Sequence, residues 1–186
     1  MRGTVARMGS SLQVGQILIG RTGVSYCLQK VLYERIEQGT KNKDIMRRLW
    51  LAQSKNNSYI VKPVTTFKYS QGFRLQRDLP FSPFVRLPVN GNDANMALIF
   101  QYYNKDFLSF MQSGPVSRPQ VKRILLDILK GVAACHSKGW VHYNVKPNNV
   151  LILYTSRPDG IQEINGVSLS DTEDAARVNN GEAIFF

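Results

Sequence analysis

The sequence predicts an α+β fold in which strands dominate the first part of the chain and one long amphipathic helix, followed by further strands, organises the second. Three observations carry this reading. Leu49-Trp50-Leu51-Ala52, the polar run Gln53–Ser58 and Tyr59-Ile60-Val61-Lys62 read as strand, turn and strand. Ala97-Leu98-Ile99-Phe100 is a short apolar strand running into Gln101-Tyr102-Tyr103. From Ser117 the helix signal is strong: Ser117-Arg118-Pro119-Gln120 supplies an N-cap serine, an early proline and a capping-box glutamine. Val121, Ile124, Leu125, Ile128, Leu129, Val132 and Cys135 then recur at spacings of three and four, and Lys138-Gly139 stops the helix.

The remaining segments fit around these. Glu34–Arg48 is polar and lysine-rich and reads as a loop or insertion. Phe67–Leu79 is a weakly helical segment ended by Pro80 and Pro83, and Phe84-Val85-Arg86-Leu87 is a strand candidate. Asn104–Met111 reads as a short helix, and Arg157-Pro158-Asp159-Gly160 is a turn signature opening a loop that extends to Gly166. Val167-Ser168-Leu169-Ser170-Asp171 has the apolar alternation of a strand.

With 186 residues, 43% hydrophobic and 20% charged, the chain has the composition of a globular domain with a substantial core. No apolar run approaches the roughly 18 residues needed to cross a bilayer, and residues 1–33 lack the compact apolar block of a secretory signal. Cys27 and Cys135 have no metal-ligand spacing, so both are expected to be buried, inert thiols in an intracellular, cytoplasmic setting. The acid-free, arginine- and serine-containing leader loosely fits an organellar transit peptide as well. The net charge of +11 is concentrated early: residues 1–80 hold 14 Lys/Arg against 4 Asp/Glu. Such clustering attracts phosphate, but few aromatics interleave it between Arg35 and Lys55. A solvated basic face is the better account.

The eleven residues His142-Tyr143-Asn144-Val145-Lys146-Pro147-Asn148-Asn149-Val150-Leu151-Ile152 resemble the protein-kinase catalytic loop, H-R-D-x-K-x-x-N followed by a strand. The order of the other segments agrees with that resemblance: a hairpin ending in Lys62, a hinge-like 97–111, a capped helix over 117–138 and Asp171 on a later strand. The resemblance covers residues 49–178 and implies a two-lobed fold, a small β-rich lobe with a truncated helical large lobe. It divides the chain into a basic N-terminal extension with degenerate first strands (1–48), a small lobe and hinge (49–103) and a large lobe (104–186).

It also implies ATP and Mg²⁺ as cofactors. By motif position Lys62 would reach the α- and β-phosphates, Phe100 would back the adenine, and the backbone of Gln101 to Tyr103 would face the adenine edge. Lys146 would neutralise the γ-phosphate, while Asn149 and Asp171 would ligate the metal. His142 would be a structural hydrogen-bonding residue.

Several positions depart from the pattern. The catalytic aspartate is Asn144, whose neutral carboxamide cannot accept a substrate proton; losing a general base costs on the order of 10²–10⁴ in rate. Aligning Phe84–Leu87 with the strand after the small-lobe helix puts Gly72 at the glutamate that should pair with Lys62. Between Tyr26 and Trp50 there is only Gly39 and no G-x-G-x-x-G, and Thr172-Glu173 stands where D-F-G has phenylalanine and glycine. Gly15–Thr22 approaches a phosphate-binding P-loop but has Arg21 in place of its lysine, and reads as a glycine-containing extended segment. Asp171 lies 27 positions after Asn144, and the sequence ends at Phe186 before any activation segment.

The expected function is therefore that of a pseudokinase: a nucleotide-binding, kinase-like domain, transferase in ancestry, with Ser/Thr phosphotransfer absent or strongly impaired. The alternative is a non-catalytic protein-interaction module on the same scaffold, and a basic nucleic-acid-binding protein ranks below both. A protein partner is expected, with no membrane span.

Overall fold

The computed structural model describes residues 12–37, 45–80 and 82–178. They form two compact units, one from the chain up to Ser70 together with Pro88–Tyr102, the other from Gln71–Leu87 together with the chain from Tyr103.

The first unit is a six-stranded antiparallel sheet. Its strands are β1 (Ile17–Ile19), β2 (Ser25–Glu37), β3 (Ile45–Ser54), β4 (Asn57–Pro63), β5 (Asn90–Asn92) and β6 (Ala97–Gln101), in the order β1-β2-β3-β4-β6-β5. The expected hairpin is β3–β4, closed by a two-residue turn in which Lys55 adopts a left-handed backbone (φ 52). Glu34–Arg48, expected as a loop, instead continues β2 through Glu37 and starts β3 at Ile45; these ends pair in register, Glu37 opposite Ile45. A polar strand persists there because ladder hydrogen bonds need backbone alone. Gly39, the one glycine between Tyr26 and Trp50, lies outside the described residues.

Edge strands β1 and β5 meet, which curls the sheet towards a barrel. Arg21 N–H donates to the Gly91 carbonyl (2.8 Å) and Asn92 Nδ2 to the Ile19 carbonyl (2.9 Å). Buried Asn90 donates to Thr22 Oγ1 (2.7 Å) and Tyr26 OH (3.1 Å). Gly20 permits this closure, since a Cβ there would sit 2.3 Å from Asn90 Nδ2. The Gly15–Thr22 segment is thus a short edge strand and its turn. Leu18, Leu28, Trp50, Ala52, Val61, Ala97 and Ile99 fill the core.

Helix α1 (Thr66–Asp78) runs through the boundary at Ser70. In the second unit, α2 (Phe107–Gln112) and α3 (Arg118–His136) accompany β7 (Lys105–Asp106), β8 (Trp140–Val141), β9 (Val150–Ser156), β10 (Gln162–Leu169) and β11 (Ala176–Arg177). The sheets are β10-β9-β7 and β11-β8. α3 begins at Ser117, with the reciprocal capping box the sequence predicts. Ile124 joins Phe110, Val150, Ile152, Ile164, Val167 and Leu169 in one core, while Cys135 joins Leu75, Leu79, Val85, Trp140 and Ala175 in another. Gly131 brings α3 against the chain at Phe84: a Cβ would lie 2.6 Å from that carbonyl.

Four expectations change here. The apolar stripe of α3 is wider than its buried face, and Leu125 (49% exposed) and Leu129 (65%) lie outside it. Asp127 is buried instead, paired with Arg123 (3.5 Å) and Lys130 (3.2 Å). Cys135 is buried but Cys27 is only partly so. Phe84–Leu87 contributes one parallel bridge, Val85 to Leu169, and β5 is the strand that joins the sheet after α1. Pro83 and Pro88 bracket that tetrapeptide and cannot donate to a ladder. Finally, the loop expected to reach Gly166 closes by Ile161, because β10 begins at Gln162 and pairs with β9.

Candidate functional site

The segment after β8 is held by side chains that hydrogen-bond to backbone. His142 is buried (7% exposed), its Nε2 lies 2.8 Å from the Ser170 carbonyl, and its Nδ1 accepts the Asn144 N–H at 3.2 Å. Those two partners select the imidazole tautomer protonated on Nε2. Residues Pro147–Asn149 make a single 3₁₀ turn, with Asn149 N–H bonded to the Lys146 carbonyl (2.9 Å). Asn149 is buried, and its Nδ2 donates to the Asn144 carbonyl at 2.9 Å. The Asn149 carbonyl accepts both Ser170 N–H (2.7 Å) and Ser170 Oγ–H (3.1 Å). Ser170 thereby ties the loop to the end of β10, one residue before Asp171. Asn144 is half-buried and Lys146 is exposed.

Asp171 has a left-handed backbone (φ 58) and opens a short turn, Thr172–Asp174. The turn is anchored on both sides. Thr172 Oγ1 donates to the Arg86 carbonyl at 2.9 Å, Arg86 N–H donates to the Leu169 carbonyl at 2.7 Å, and Leu169 N–H returns to the Phe84 carbonyl at 2.9 Å. Glu173 is 2% exposed. The Arg86 guanidinium lies 5.9 Å from the Tyr103 ring centroid, with its Nε sealed from solvent. Burial pulls Arg86 down to about 10, a fall opposed by Tyr103, Glu173 and Asp171, so it is charged at neutral pH. In the same unit Gln71, on α1 beside buried Gly72, donates to the Ala175 carbonyl at 3.2 Å.

The other residues picked out by sequence lie on the first unit. Ile60 pairs with Phe100 and Lys62 with Leu98 across β4 and β6, so these four side chains share one face of the sheet. Phe100 is 3% exposed and Lys62 partly buried. Tyr59 and Gln101 share the opposite face and line a cavity of about 690 Å³ with Tyr26, Asn90 and Tyr102. The Gln101 side chain is therefore turned away from Lys62, and the role expected for this residue is one its backbone would fill.

The family model for the protein kinase domain matches residues 8–183. This chain belongs to the protein kinase family. Cyclin-dependent kinase 20 of Danio rerio is 29% identical over 136 residues, 72% of this chain and 33% of its own length. The Homo sapiens protein of the same name is 29% identical over 133 residues, 70% of this chain and 32% of its length. The chain thus spans about a third of these relatives. Among solved structures, vaccinia related kinase 3 matches with a TM-score of 0.57 at 14% identity, covering 90% of this chain and 53% of that one, a likeness of fold.

Kinase chemistry is positioning and charge stabilisation around a phosphoryl group. The loop geometry supplies positioning. The charge side differs, because an amide stands at Asn144 where the motif has a carboxylate. A divalent cation requires several anionic or neutral oxygens free to turn inwards. Asn149 donates its Nδ2 to the Asn144 carbonyl, which leaves Oδ1 as the ligating oxygen, and among the described residues no three His, Cys, Asp or Glu side chains gather where a metal could be held. Asn149 Oδ1 and the Asp171 carboxylate are oxygen donors of the kind Mg²⁺ takes, with phosphate oxygens and water to complete its shell.

Arg86 and buried Glu173 are the functional candidates that motif matching missed. A signal existed for the first: an arginine inside the apolar run Phe84–Leu87 must either snorkel to solvent or meet an acid. Glu173 carried none, since a D-T-E-D run ordinarily reads as exposed acids.

Proposed function

We propose that this kinase-family chain is a nucleotide-binding domain that transfers phosphate to protein serine or threonine hydroxyls weakly or not at all. The observation that carries the reading is Asn144 within an otherwise fully tied catalytic-loop segment. Its backbone N–H and carbonyl are engaged by His142 and Asn149, while its side chain offers an amide where proton acceptance needs a carboxylate. On this reading Lys62, with Phe100 behind the base, contacts phosphates; the hinge backbone from Gln101 to Tyr103 meets the adenine edge; and Lys146 faces the terminal phosphate.

The test is a thermal-shift titration with ATP beside a radiolabelled phosphotransfer assay on a generic protein substrate. ATP should raise the melting midpoint of the wild type and less so that of Lys62→Ala, with no label transferred above background. An unchanged midpoint at millimolar ATP sinks the binding claim. Label transfer by the wild type that is lost on Lys146→Ala sinks the impaired-enzyme claim.

A protein-interaction role has its own support in the exposed leucines of α3, Leu125, Leu126 and Leu129, which present an apolar face on a helix otherwise well packed. Changing them to serine should weaken a partner complex and leave ATP-dependent stabilisation unaltered.

A further inference from the structure

We propose that the open end of the first unit's sheet is a binding site for a small aromatic carboxylate, separate from the face that carries Lys62 and Phe100. The inference does not rest on nucleotide binding, because Tyr59 and Gln101 at this site lie on the opposite face of β4 and β6 from those two residues.

The β1–β2 turn, the β3–β4 hairpin, the start of β5 and the end of β6 converge there around the cavity of about 690 Å³. That volume suits a small organic molecule. Buried Asn90 organises its polar side. Asn90 Oδ1 accepts the Gly91 N–H at 2.9 Å, which turns the amide N–H groups the other way, onto Thr22 Oγ1 (2.7 Å) and Tyr26 OH (3.1 Å). A hydroxyl that accepts a hydrogen bond still has its own proton to give. Thr22 and Tyr26 both line the cavity, and neither gives that proton to any of the described residues. One buried amide thus holds two hydroxyl donors ready for a molecule in the cavity.

Charge and apolar surface narrow the ligand. Lys55, in the hairpin turn, is the one charged side chain among the described residues that line the cavity. Asp93, just after β5, is already engaged by Tyr69 OH (2.6 Å) and Arg21 Nε (3.7 Å). Two hydroxyl donors and an ammonium, with no carboxylate beside them, select an anionic acceptor, whereas a cation would meet only like charge. The rest of the lining is flat or apolar. Tyr26 and Tyr59 meet edge to face with ring centroids 5.1 Å apart, Tyr102 is half-buried, and Val24 (37% exposed) and Val89 (47%) stand open at the rim. Tyrosine rings beside uncovered valines bind a planar apolar body. A carboxylate carried on an aromatic ring supplies both parts.

The probes are indole-3-acetate, neutral indole-3-acetamide and cationic tryptamine, which share one ring system and differ in charge, each titrated into the full chain by ligand-observed NMR. The acetate should bind most tightly, the acetamide more weakly and tryptamine not detectably. Tyr26→Phe and Thr22→Val each remove one donor and keep the shape, and each should weaken the acetate about two- to tenfold, the loss expected for one hydrogen bond. Lys55→Ala, at an exposed position, should cost about two- to fivefold and only for the acetate. Val89→Trp should fill the cavity and abolish binding, with circular dichroism unchanged, while Lys62→Ala should leave it intact. Should Tyr26→Phe fail to fold, exposed Thr22→Val decides the donor half alone. No binding of the acetate at millimolar concentration overturns the inference, as does tryptamine binding as tightly as the acetate. Binding that survives Val89→Trp and is lost in Lys62→Ala places the ring on the other face of the sheet and overturns it too.

Discussion

Two neighbouring segments of the second unit depart in opposite ways from the two kinase motifs they resemble. The loop His142–Asn149 is held by buried hydrogen bonds through His142, Asn149 and Ser170, and departs from H-R-D-x-K-x-x-N at Tyr143 and at half-buried Asn144. The turn Asp171–Asp174 keeps the aspartate and puts Thr172, bonded to the Arg86 carbonyl, and buried Glu173 in place of the phenylalanine and glycine. A loop whose backbone is saturated by hydrogen bonds can lose its catalytic group without losing its shape.

That contrast can be broken at Glu173. Glu173 is 2% exposed, and removing a buried polar side chain typically costs about 1–3 kcal/mol through the partners it leaves behind. Glu173→Ala should therefore lower stability by about that amount in a urea melt. A loss below about 0.5 kcal/mol would show that Glu173 does not hold the turn. His142→Ala should cost a similar amount, about 1–3 kcal/mol, from the orphaned Ser170 carbonyl and Asn144 N–H. The two losses should also add only partly, since Ser170 joins both segments.

A pH titration probes the apolar support on which the turn rests, for Cys135 packs in the same cluster as Ala175, directly after it. Burial pushes the Cys135 thiol up from 9.0 to about 11. Between those values the unfolded chain releases the proton while the folded chain retains it. The unfolded state then binds fewer protons, so this contribution to stability falls as pH rises from about 9 and is spent by about 11. The wild type should lose on the order of 1–3 kcal/mol more than Cys135→Ala across that range. Parallel slopes for the two proteins would show that the thiol is not desolvated. Iodoacetamide should label Cys27 well before Cys135 under native conditions, as their burial differs.

How much of this was readable in the sequence follows the same division. The capped helix, the β3–β4 hairpin and the loop are local patterns: Ser117 bonds to Gln120, Lys55 turns between adjacent strands, and His142 lies two residues from the Asn144 N–H it accepts. The misreadings involved distant partners. Phe84–Leu87 is apolar enough for a strand, but its hydrogen bonds go to Leu169, 85 positions beyond Phe84. Polar Glu34–Arg48 looks like a loop until its two ends are seen to pair. Thr172 reaches the Arg86 carbonyl only because β10 returns to that tetrapeptide, and nothing in either local sequence announces it. The leucines of α3 failed for a different reason: periodicity marks every apolar position, whereas burial also depends on what lies opposite.

The mildest structural change tests the contrast most directly. Asn144→Asp leaves intact both backbone bonds that Asn144 makes, so the loop should retain its shape and stability should move by about 0.5 kcal/mol or less. If the loop is a preserved frame lacking only its base, restoring the carboxylate should raise phosphotransfer, up to the order of 10²–10⁴ that a general base supplies. If the rebuilt turn is the greater obstacle, Asn144→Asp alone should remain silent. The two results assign the lost chemistry to different segments. A gain from Asn144→Asp alone, undiminished by chelator, would mean that transfer proceeds without metal. A gain that chelator abolishes would mean that the site still recruits a divalent cation, and that the rebuilt turn has not cost it that function.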